Sequence, residues 1–345
     1  MAEPILIWGA GAIGGTIGAY WARAGVPVLL VDIVKEHVEA CRTTGVSITG
    51  PIEEFRQVIP AVTPDELTGT YSRIVLAVKA GATEDALAAL KPHLAADGYV
   101  LSAQNGLNEL AIACHVGPER TMGCFVNFGA DWHGPGEILY GNRGAVVVGE
   151  IDGSRTTRVE EMFGLLRLFD ADSVLTDNIW GYLWGKLAYG AMLFGTALTE
   201  DSMSANFADP ERLPVWLALG REVGAVAAAR GITSLGFGEF DPMVFAPGRS
   251  AGPQIETIRW LAEYTSKTAK IHSGIYRDLA VRKRKTEVDP QIGIIAKLGR
   301  ESGVATPALE LLVSLIHDIE NGTRPLSFAT LKVLTDQCKS VSTTA

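Results

Sequence analysis

The stretch Ile5-Leu6-Ile7-Trp8-Gly9-Ala10-Gly11-Ala12-Ile13-Gly14 decides how this chain folds. Its four leading apolar residues suit a buried parallel strand, and its glycines have the spacing G-x-G-x-x-G. In such a turn Gly9 permits the tight bend, Gly11 lets the backbone approach a pyrophosphate, and Gly14 lets a helix pack closely on the strand. The stretch therefore predicts a dinucleotide site made by Gly9, Ala10, Gly11, Ala12, Ile13 and Gly14.

The residues that follow supply the context that this motif requires. Ala12 to Ala24 predicts a helix that stops at Gly25, and Val26 to Val31 predicts a second strand that ends at Asp32. The alternative is a parallel α/β turn that binds no ligand. A carboxylate at this place hydrogen-bonds a ribose 2′-hydroxyl and repels a 2′-phosphate, which favours NAD over NADP. Lys35 is the residue most able to reverse that preference.

Length, charge and cysteine content limit the function classes. A chain of 345 residues suggests two domains, and a net charge of −9 with a pI near 5.3 argues against a nucleic-acid partner. The four cysteines are scattered without metal-ligand spacing, as in a reduced cytoplasmic protein, and no secretory signal opens the sequence. We therefore expect a cytoplasmic protein with a small-molecule substrate and no metal.

Strand and helix patterns alternate up to residue 176, which predicts a doubly wound, mainly parallel sheet of the α/β class. Lys79 directly follows a predicted strand at Arg73 to Val78, and Asn105 follows another at Tyr99 to Ala103. Ligands bind at the carboxyl ends of such strands, so both residues are candidates for the cofactor site. The segment from 129 to 143 is predicted to be a loop.

From residue 177 to 339 the pattern predicts almost only helices, so the second domain should be all-α, with a disordered tail at 340–345. Lys186 is the single charged residue between Asn178 and Thr199. A mid-span lysine and several glycines argue against a membrane helix. The spacing alone is compatible with two interpretations. Lys186 could lie on a core helix and reach the surface with its amine, or it could be a catalytic lysine in a cleft. The glycine- and proline-rich segment 233–253 is predicted to be a loop or lid.

Four motifs make the chain similar to the ketopantoate reductase family over nearly its full length. The glycine motif is common to many dehydrogenases, whereas the order and spacing of the other three are more specific. These are Gln104-Asn105-Gly106-Leu107, Trp184-Gly185-Lys186-Leu187, and Arg284 to Asp289 followed by Gly303 to Pro307. The resemblance implies a Rossmann domain followed by a helical domain like that of 6-phosphogluconate dehydrogenases.

The resemblance also implies roles for individual residues. Lys186 would be the general acid that protonates a carbonyl oxygen as hydride arrives from a nicotinamide, and the general base in the reverse direction. Asn105 would lie near the cofactor and substrate, and Lys79 near the cofactor. Glu287 and Ser273 would bind the substrate.

The chain departs from the family pattern at three positions. Gly190 and Phe194 replace asparagines that contact substrate in the ketopantoate enzymes, and Asp32 stands near a position where the family's NADPH-dependent reductases commonly carry an arginine. Loss of two amides predicts a pocket for a larger or more apolar substrate. We expect an NAD-dependent oxidoreductase acting on a 2-oxo or hydroxy acid or a related ketone or alcohol.

Three alternative functions remain possible at this point, and the assembly state is also open. The first is an NADPH-dependent 2-dehydropantoate 2-reductase, and the second is a dinucleotide-binding sensor that has lost catalysis. The third is a dehydrogenase of β-hydroxy acids, whose lysine helix would usually carry a neighbouring asparagine. The apolar helices could also bury the interface of a homodimer.

Overall fold

The computed structural model describes residues 3–268 and 270–342. They form two compact units, one up to Ile179 and one from Trp180 onwards. The strands are β1 (Ile5–Trp8), β2 (Val28–Val31), β3 (Val46–Thr49), β4 (Phe55–Gln57), β5 (Ala61–Val62), β6 (Tyr71–Leu76), β7 (Leu94–Ser102), β8 (Thr121–Val126), β9 (Gly129–Gly134), β10 (Glu137–Asn142), β11 (Val146–Glu150) and β12 (Val174–Leu175). The helices of the first unit are α1 (Ala12–Arg23), α2 (Lys35–Thr43), α3 (Thr83–Leu90), α4 (Asn108–Val116) and α5 (Thr157–Phe169), and α6 (Ile179–Thr196) begins at its last residue.

An eight-stranded sheet organises the first unit, in the order β12-β11-β8-β7-β6-β1-β2-β5. Neighbouring strands are parallel throughout, except that β8 and β11 are antiparallel. The chain moves outward from β1 to β2 and β5, and then crosses to β6 on the other side of β1. This reversal creates a switch point between the carboxyl ends of β1 and β6, where doubly wound sheets bind their ligands. The predicted α/β class and doubly wound sheet are confirmed.

Strand β1 is buried on both faces of the sheet. Ile5 and Ile7 pack into one apolar cluster, whereas Leu6 and Trp8 pack into the cluster on the opposite face. A strand covered by helices on both sides needs apolar residues at every position rather than at alternate ones. This requirement explains the unbroken apolar run that precedes the glycine motif.

The predicted loop at 129–143 is wrong, because these residues form an antiparallel pair of strands. Strand β10 pairs with β9 and, in parallel, with β3, and a second sheet of order β4-β3-β10-β9 results. Ile138 and Tyr140 are completely buried beneath this sheet. Ile138 also packs against Gly15 of α1, where a Cβ atom would lie 2.5 Å from its Cδ1. The small sheet therefore rests on the helix that follows the glycine motif.

The second unit is helical, as predicted. The helices that follow α6 are α7 (Met203–Ala208), α8 (Leu213–Ala229), α9 (Ala251–Ser266), α10 (Gly274–Tyr276), α11 (Ile294–Glu301), α12 (Pro307–Glu320) and α13 (Phe328–Ser342). Two predictions near the end of the chain need correction. Helix α13 was not predicted and continues through Ser340, where disorder was expected. Residues 343–345 lie outside the described residues.

Segment 233–253, which was predicted to be a loop or lid, is mainly a loop, and several of its residues pack on the helices of the second unit. The backbone N–H of Leu235 donates to the carbonyl of Gly181 on α6 at 2.8 Å. Phe240 and Phe245 are buried, and the ring of Phe240 lies 5.6 Å from that of Tyr189. Ser234, Phe240, Pro242 and Phe245 therefore anchor the segment in the core of the second unit, whereas residues 247–253 are exposed and the last of them form the start of α9.

Neither a membrane span nor a metal cluster is found in the described part of the chain. None of the helices there is long and apolar enough to cross a bilayer. No group of three or more His, Cys, Asp or Glu side chains among those residues is placed to hold a metal ion.

Candidate active site

The glycine motif forms the turn between β1 and α1. Gly9 has φ +98°, a left-handed conformation that L side chains rarely adopt, and a Cβ there would lie 2.7 Å from the nitrogen of Val78. At Gly14 a Cβ would lie 2.1 Å from the carbonyl oxygen of Gly9. Gly11 differs from both, because a Cβ there would meet no atom within 4 Å. Packing thus requires glycine at positions 9 and 14, whereas Gly11 borders an open surface.

That open surface fits the approach of a pyrophosphate. Gly11 caps the N-terminus of α1, where the first backbone N–H groups have no acceptor within the helix and carry a partial positive charge. Such an end is suited to binding phosphate oxygens. The residues present therefore fit a dinucleotide, with α1 facing its phosphates.

The carboxylate of Asp32 ties the end of β2 to this turn. Its Oδ2 accepts a hydrogen bond from the backbone N–H of Ala10 at 2.9 Å, and its Oδ1 accepts one from Val34 at 3.0 Å. Each oxygen has a further lone pair for a ligand hydroxyl. Asp32 is partly exposed, as its predicted contact with a ribose requires.

A buried network of amide and hydroxyl groups joins the loops that carry Lys79 and Asn105. Gln104 donates through Nε2 to the carbonyl of Val78 at 2.9 Å and to the hydroxyl of Thr83 at 2.8 Å. Thr83 donates to Oδ1 of Asn108 at 2.8 Å, and Nδ2 of Asn108 donates to the carbonyl of Asn105, also at 2.8 Å.

This network fixes the two loops that follow β6 and β7, and the sequence analysis selected neither Thr83 nor Asn108. The available signal was Gln104, which stands beside Asn105 in the motif and hydrogen-bonds Thr83. The first unit therefore brings together the glycine motif, Asp32, Lys79 and Asn105 at the carboxyl edge of the sheet.

Lys186 lies on α6, and its neighbours along the chain are buried. Trp184, Leu187 and Ala188 are each no more than 2% exposed, while Lys186 itself is partly exposed. The preceding Gly185 lets segment 233–253 contact the helix, since a Cβ there would lie 2.0 Å from the carbonyl oxygen of Leu235. The amine is thus carried by a helix that core packing holds rigidly.

The two positions one and two turns after Lys186 differ in their surroundings. Gly190 is partly exposed, and a Cβ there would meet nothing within 4 Å. Phe194 is 1% exposed and belongs to the core. Of the two positions, Gly190 is therefore the one with open space, one helical turn after Lys186.

Ser273 and Glu287 also lie in the second unit. Ser273 is buried and caps α10, because its Oγ accepts the backbone N–H of Tyr276 at 3.2 Å. Glu287 is partly exposed and precedes the helical segment that leads into α11. The basic run beside it is exposed, and Arg282 and Arg284 both bind the carboxylate of Asp278 at 3.0 Å.

Glu109, on α4 after the Asn105 loop, is a buried acid that the sequence analysis did not select. It is 0% exposed, and neither carboxylate oxygen has a hydrogen-bond partner among the described residues. Burial raises the pKa of Glu109 to about 8, and the nearby Ser102 hydroxyl only partly opposes that shift. The folded protein therefore holds this side chain as a neutral acid at neutral pH.

We expect Glu109 to make the protein less stable as the pH rises. A carboxyl with a raised pKa in the folded state contributes stability that is fully present below its unfolded pKa of about 4.5 and is lost progressively as the pH rises to about 8. Because one pKa unit corresponds to about 1.4 kcal/mol, the free energy of unfolding should fall by a few kcal/mol between pH 5 and 9. Urea unfolding at both pH values measures the fall.

Glu109→Gln is the matched variant for this experiment, because it keeps the shape and removes the titration. Its free energy of unfolding should vary less with pH than that of the parent. Glu222, whose pKa burial raises to about 7, would account for part of the remaining slope. Equal pH slopes for parent and variant would contradict the assignment.

Comparison with known proteins identifies the family. The family model described as Ketopantoate reductase PanE/ApbA matches residues 5–153, and the one described as Ketopantoate reductase PanE/ApbA C terminal matches residues 178–320. The chain belongs to the ketopantoate reductase family. It is accordingly a nicotinamide-dependent oxidoreductase that acts on a keto or hydroxy group, as the sequence motifs predicted.

Relatives of this ketopantoate reductase-family chain align over nearly its whole length. The 2-dehydropantoate 2-reductase of Streptococcus pyogenes serotype M1 is 24% identical over 91% of this chain and 96% of its own. That of Mesorhizobium japonicum is 27% identical, with the same coverage of both chains. The relatives thus include both domains.

Solved structures of other proteins share the fold. A PanE/ApbA family ketopantoate reductase from Ralstonia eutropha JMP134 superposes with a TM-score of 0.77 and 26% identity, covering 92% of this chain and 99% of its own. D-mandelate dehydrogenase, solved with NADH and anilino(oxo)acetate, superposes with a TM-score of 0.79 and 23% identity over the same shares. The predicted Rossmann and helical domains are thereby confirmed.

Proposed function

We propose that this protein is an NAD-dependent dehydrogenase that interconverts a 2-hydroxy acid and its 2-oxo acid, with Lys186 as general acid and base. The observation that carries the proposal is the place of Lys186, a partly exposed amine on a helix whose adjoining residues are buried. A rigid support of this kind holds a proton donor at a fixed position. Family membership supplies the reaction class.

A bound nicotinamide would supply hydride to the carbonyl carbon or accept it from the alcohol carbon. In the reducing direction, Lys186 would donate a proton to the oxygen, where negative charge develops only in the transition state. In the oxidising direction, its neutral amine would take the proton from the hydroxyl. Asn105 would hydrogen-bond the cofactor or substrate, and Ser273 and Glu287 would bind the substrate.

The preference for NAD rests on Asp32. Its carboxylate lies beside the glycine turn and would repel a 2′-phosphate while accepting a hydrogen bond from a 2′-hydroxyl. Lys35 is exposed at the start of α2 and is the nearest cation in sequence that could offset this charge. The fold itself accommodates NADH, as in D-mandelate dehydrogenase.

The substrate class follows from Gly190. Where an asparagine amide is missing, a small hydroxylated oxo acid loses a hydrogen bond, while the open space beside the lysine accepts a bulkier group. We therefore favour a 2-hydroxy acid with an apolar side chain over pantoate. The printed names of the relatives favour the alternative, NADPH-dependent reduction of 2-dehydropantoate.

Titration of the purified protein with NADH and NADPH, followed by nicotinamide fluorescence, tests the cofactor. Turnover of pantoate, ketopantoate, mandelate and aliphatic 2-hydroxy acids with the preferred cofactor then tests the substrate. Tighter NADH binding and faster turnover of the apolar acids are the expected results. Efficient NADPH-dependent reduction of ketopantoate would reject the proposal, and binding without any turnover would favour a sensor.

The proposal includes a cytoplasmic location and a homodimer. None of the four cysteines forms a disulfide, and Cys41, Cys124 and Cys338 are buried, which suits a reducing compartment. The mass of the purified protein by light scattering tests the dimer against the 36.7 kDa of one chain.

A further inference from the structure

Side chains from outside the glycine motif hold both backbone polar groups of Ala10. Its N–H donates to Asp32, and its carbonyl oxygen lies 2.8 Å from Nε2 of His37 on α2. His37 is 1% exposed, so water does not compete for this bond. Ala10, the second residue of the motif, is thus held by Asp32 at the end of β2 and by His37 on α2.

The hydrogen bonds of His37 define its tautomer. The backbone N–H of Gly136, between β9 and β10, donates to Nδ1 at 2.9 Å, and the indole N–H of Trp132 lies 3.4 Å from the same atom. Because both neighbours of Nδ1 are donors, that nitrogen has no hydrogen, and Nε2 carries it. His37 therefore donates to the carbonyl of Ala10, and the thiol of Cys41 lies 3.6 Å from the same Nε2.

The clamp determines which way the next peptide group points. The carbonyl of Ala10 and the N–H of Gly11 belong to one planar trans peptide, so they point in opposite directions. Fixing the carbonyl on His37 therefore directs the N–H of Gly11 away from the buried imidazole. Gly11 is also the residue whose surroundings are open.

We propose that His37 is a positioning residue for cofactor binding, which orients the Ala10–Gly11 peptide so that the N–H of Gly11 faces the dinucleotide phosphates. The inference rests on the nicotinamide-dependent function given above. It is independent of the choice between NAD and NADP, because the two share the pyrophosphate. His37 itself touches neither cofactor nor substrate in this role.

Three substitutions test the contributions of the two hydrogen bonds of His37 separately. In His37→Gln the amide offers one acceptor and one donor, spaced much like the two ring nitrogens. In His37→Asn the shorter side chain places its carbonyl near the position of Nδ1 and keeps Gly136, but no atom reaches Ala10. His37→Phe fills the volume and removes both bonds. His133→Gln, at an exposed position of β9, is the control.

Two readouts are measured at a temperature where every variant is folded. The first is the Kd of the preferred nicotinamide cofactor, and the second is amide hydrogen exchange of residues 9–15 in the protein without cofactor. We expect His37→Asn and His37→Phe to raise Kd about tenfold and to speed exchange in this segment, as loss of one positioning hydrogen bond predicts. His37→Gln and His133→Gln should stay within about twofold of the parent.

A purely structural role of His37 would lower the melting temperature and leave the Kd of the folded protein unchanged. His37→Asn with the parent's Kd and exchange rate would therefore overturn the proposal. If the parent bound neither NADH nor NADPH, the proposed function would fail. The exchange comparison would still decide whether His37 orders the glycine turn.

Discussion

Replacing Lys186 by methionine should lower kcat about 10³-fold, in both directions of the reaction, while the Kd of the nicotinamide cofactor stays unchanged. A positioned acid or base typically contributes between about 10² and 10⁴ to the rate. Methionine retains the length and apolar stem of the side chain, so the packing of α6 around Trp184 and Leu187 is preserved. Steady-state kinetics with the best substrate, together with fluorescence titration of the cofactor, measures both quantities.

Lys297→Met is the matched control, because that lysine is exposed on α11. It should have the parent's kcat and KM. Added primary amines provide a second check, since a small amine that enters the space of the missing side chain should restore part of the lost rate. A Lys186→Met variant with more than a tenth of the parent's kcat would exclude the lysine as the main acid and base.

Replacing Gly11 by alanine should weaken cofactor binding on the order of 100-fold without changing the fold. Gly11 has φ −67°, which alanine adopts without strain, and the added methyl group meets no protein atom within 4 Å. The methyl would instead occupy the surface that a pyrophosphate must approach. The melting temperature should remain close to the parent's, because alanine at a helix cap costs at most about 1 kcal/mol.

Gly14→Ala should show the opposite pattern. Its Cβ would lie 2.1 Å from the carbonyl oxygen of Gly9, so α1 must shift away from β1. We expect a loss of about 1–3 kcal/mol in the free energy of unfolding, the usual range for overpacking. If Gly11→Ala bound cofactor like the parent, the dinucleotide site would have to lie elsewhere.

The sequence predicted those parts of the fold that depend on local patterns. The run Ile5 to Trp8 is apolar at every position because both faces of β1 are covered, and this signal needs no knowledge of the partners. The all-helical second unit was likewise visible in the helical spacing of apolar residues. Lys186 stood out as a charge in an otherwise uncharged helix.

Other features depend on contacts between distant segments, which local patterns do not reveal. Helix α4 begins directly after an Asn-Gly turn and is apolar on more than one face, so its periodicity is weak. Ile138 and Tyr140 are buried at alternate positions, as in a strand, but the glycines and polar residues around them led to the predicted loop. His37 was unremarkable in sequence because its closest partners are backbone groups of Ala10 and Gly136, which lie far from it along the chain.

The pairing of His37 with Gly136 has a consequence for biosynthesis. The two residues are 99 positions apart, so a chain emerging from the ribosome completes β1, α1 and α2 long before the hairpin that holds His37 in place. Contacts of such sequence separation form slowly, because the intervening loop must first be closed. On the proposal above, the Ala10–Gly11 peptide therefore reaches its final orientation only after Gly136 has been translated, although β1 and α1 are made first.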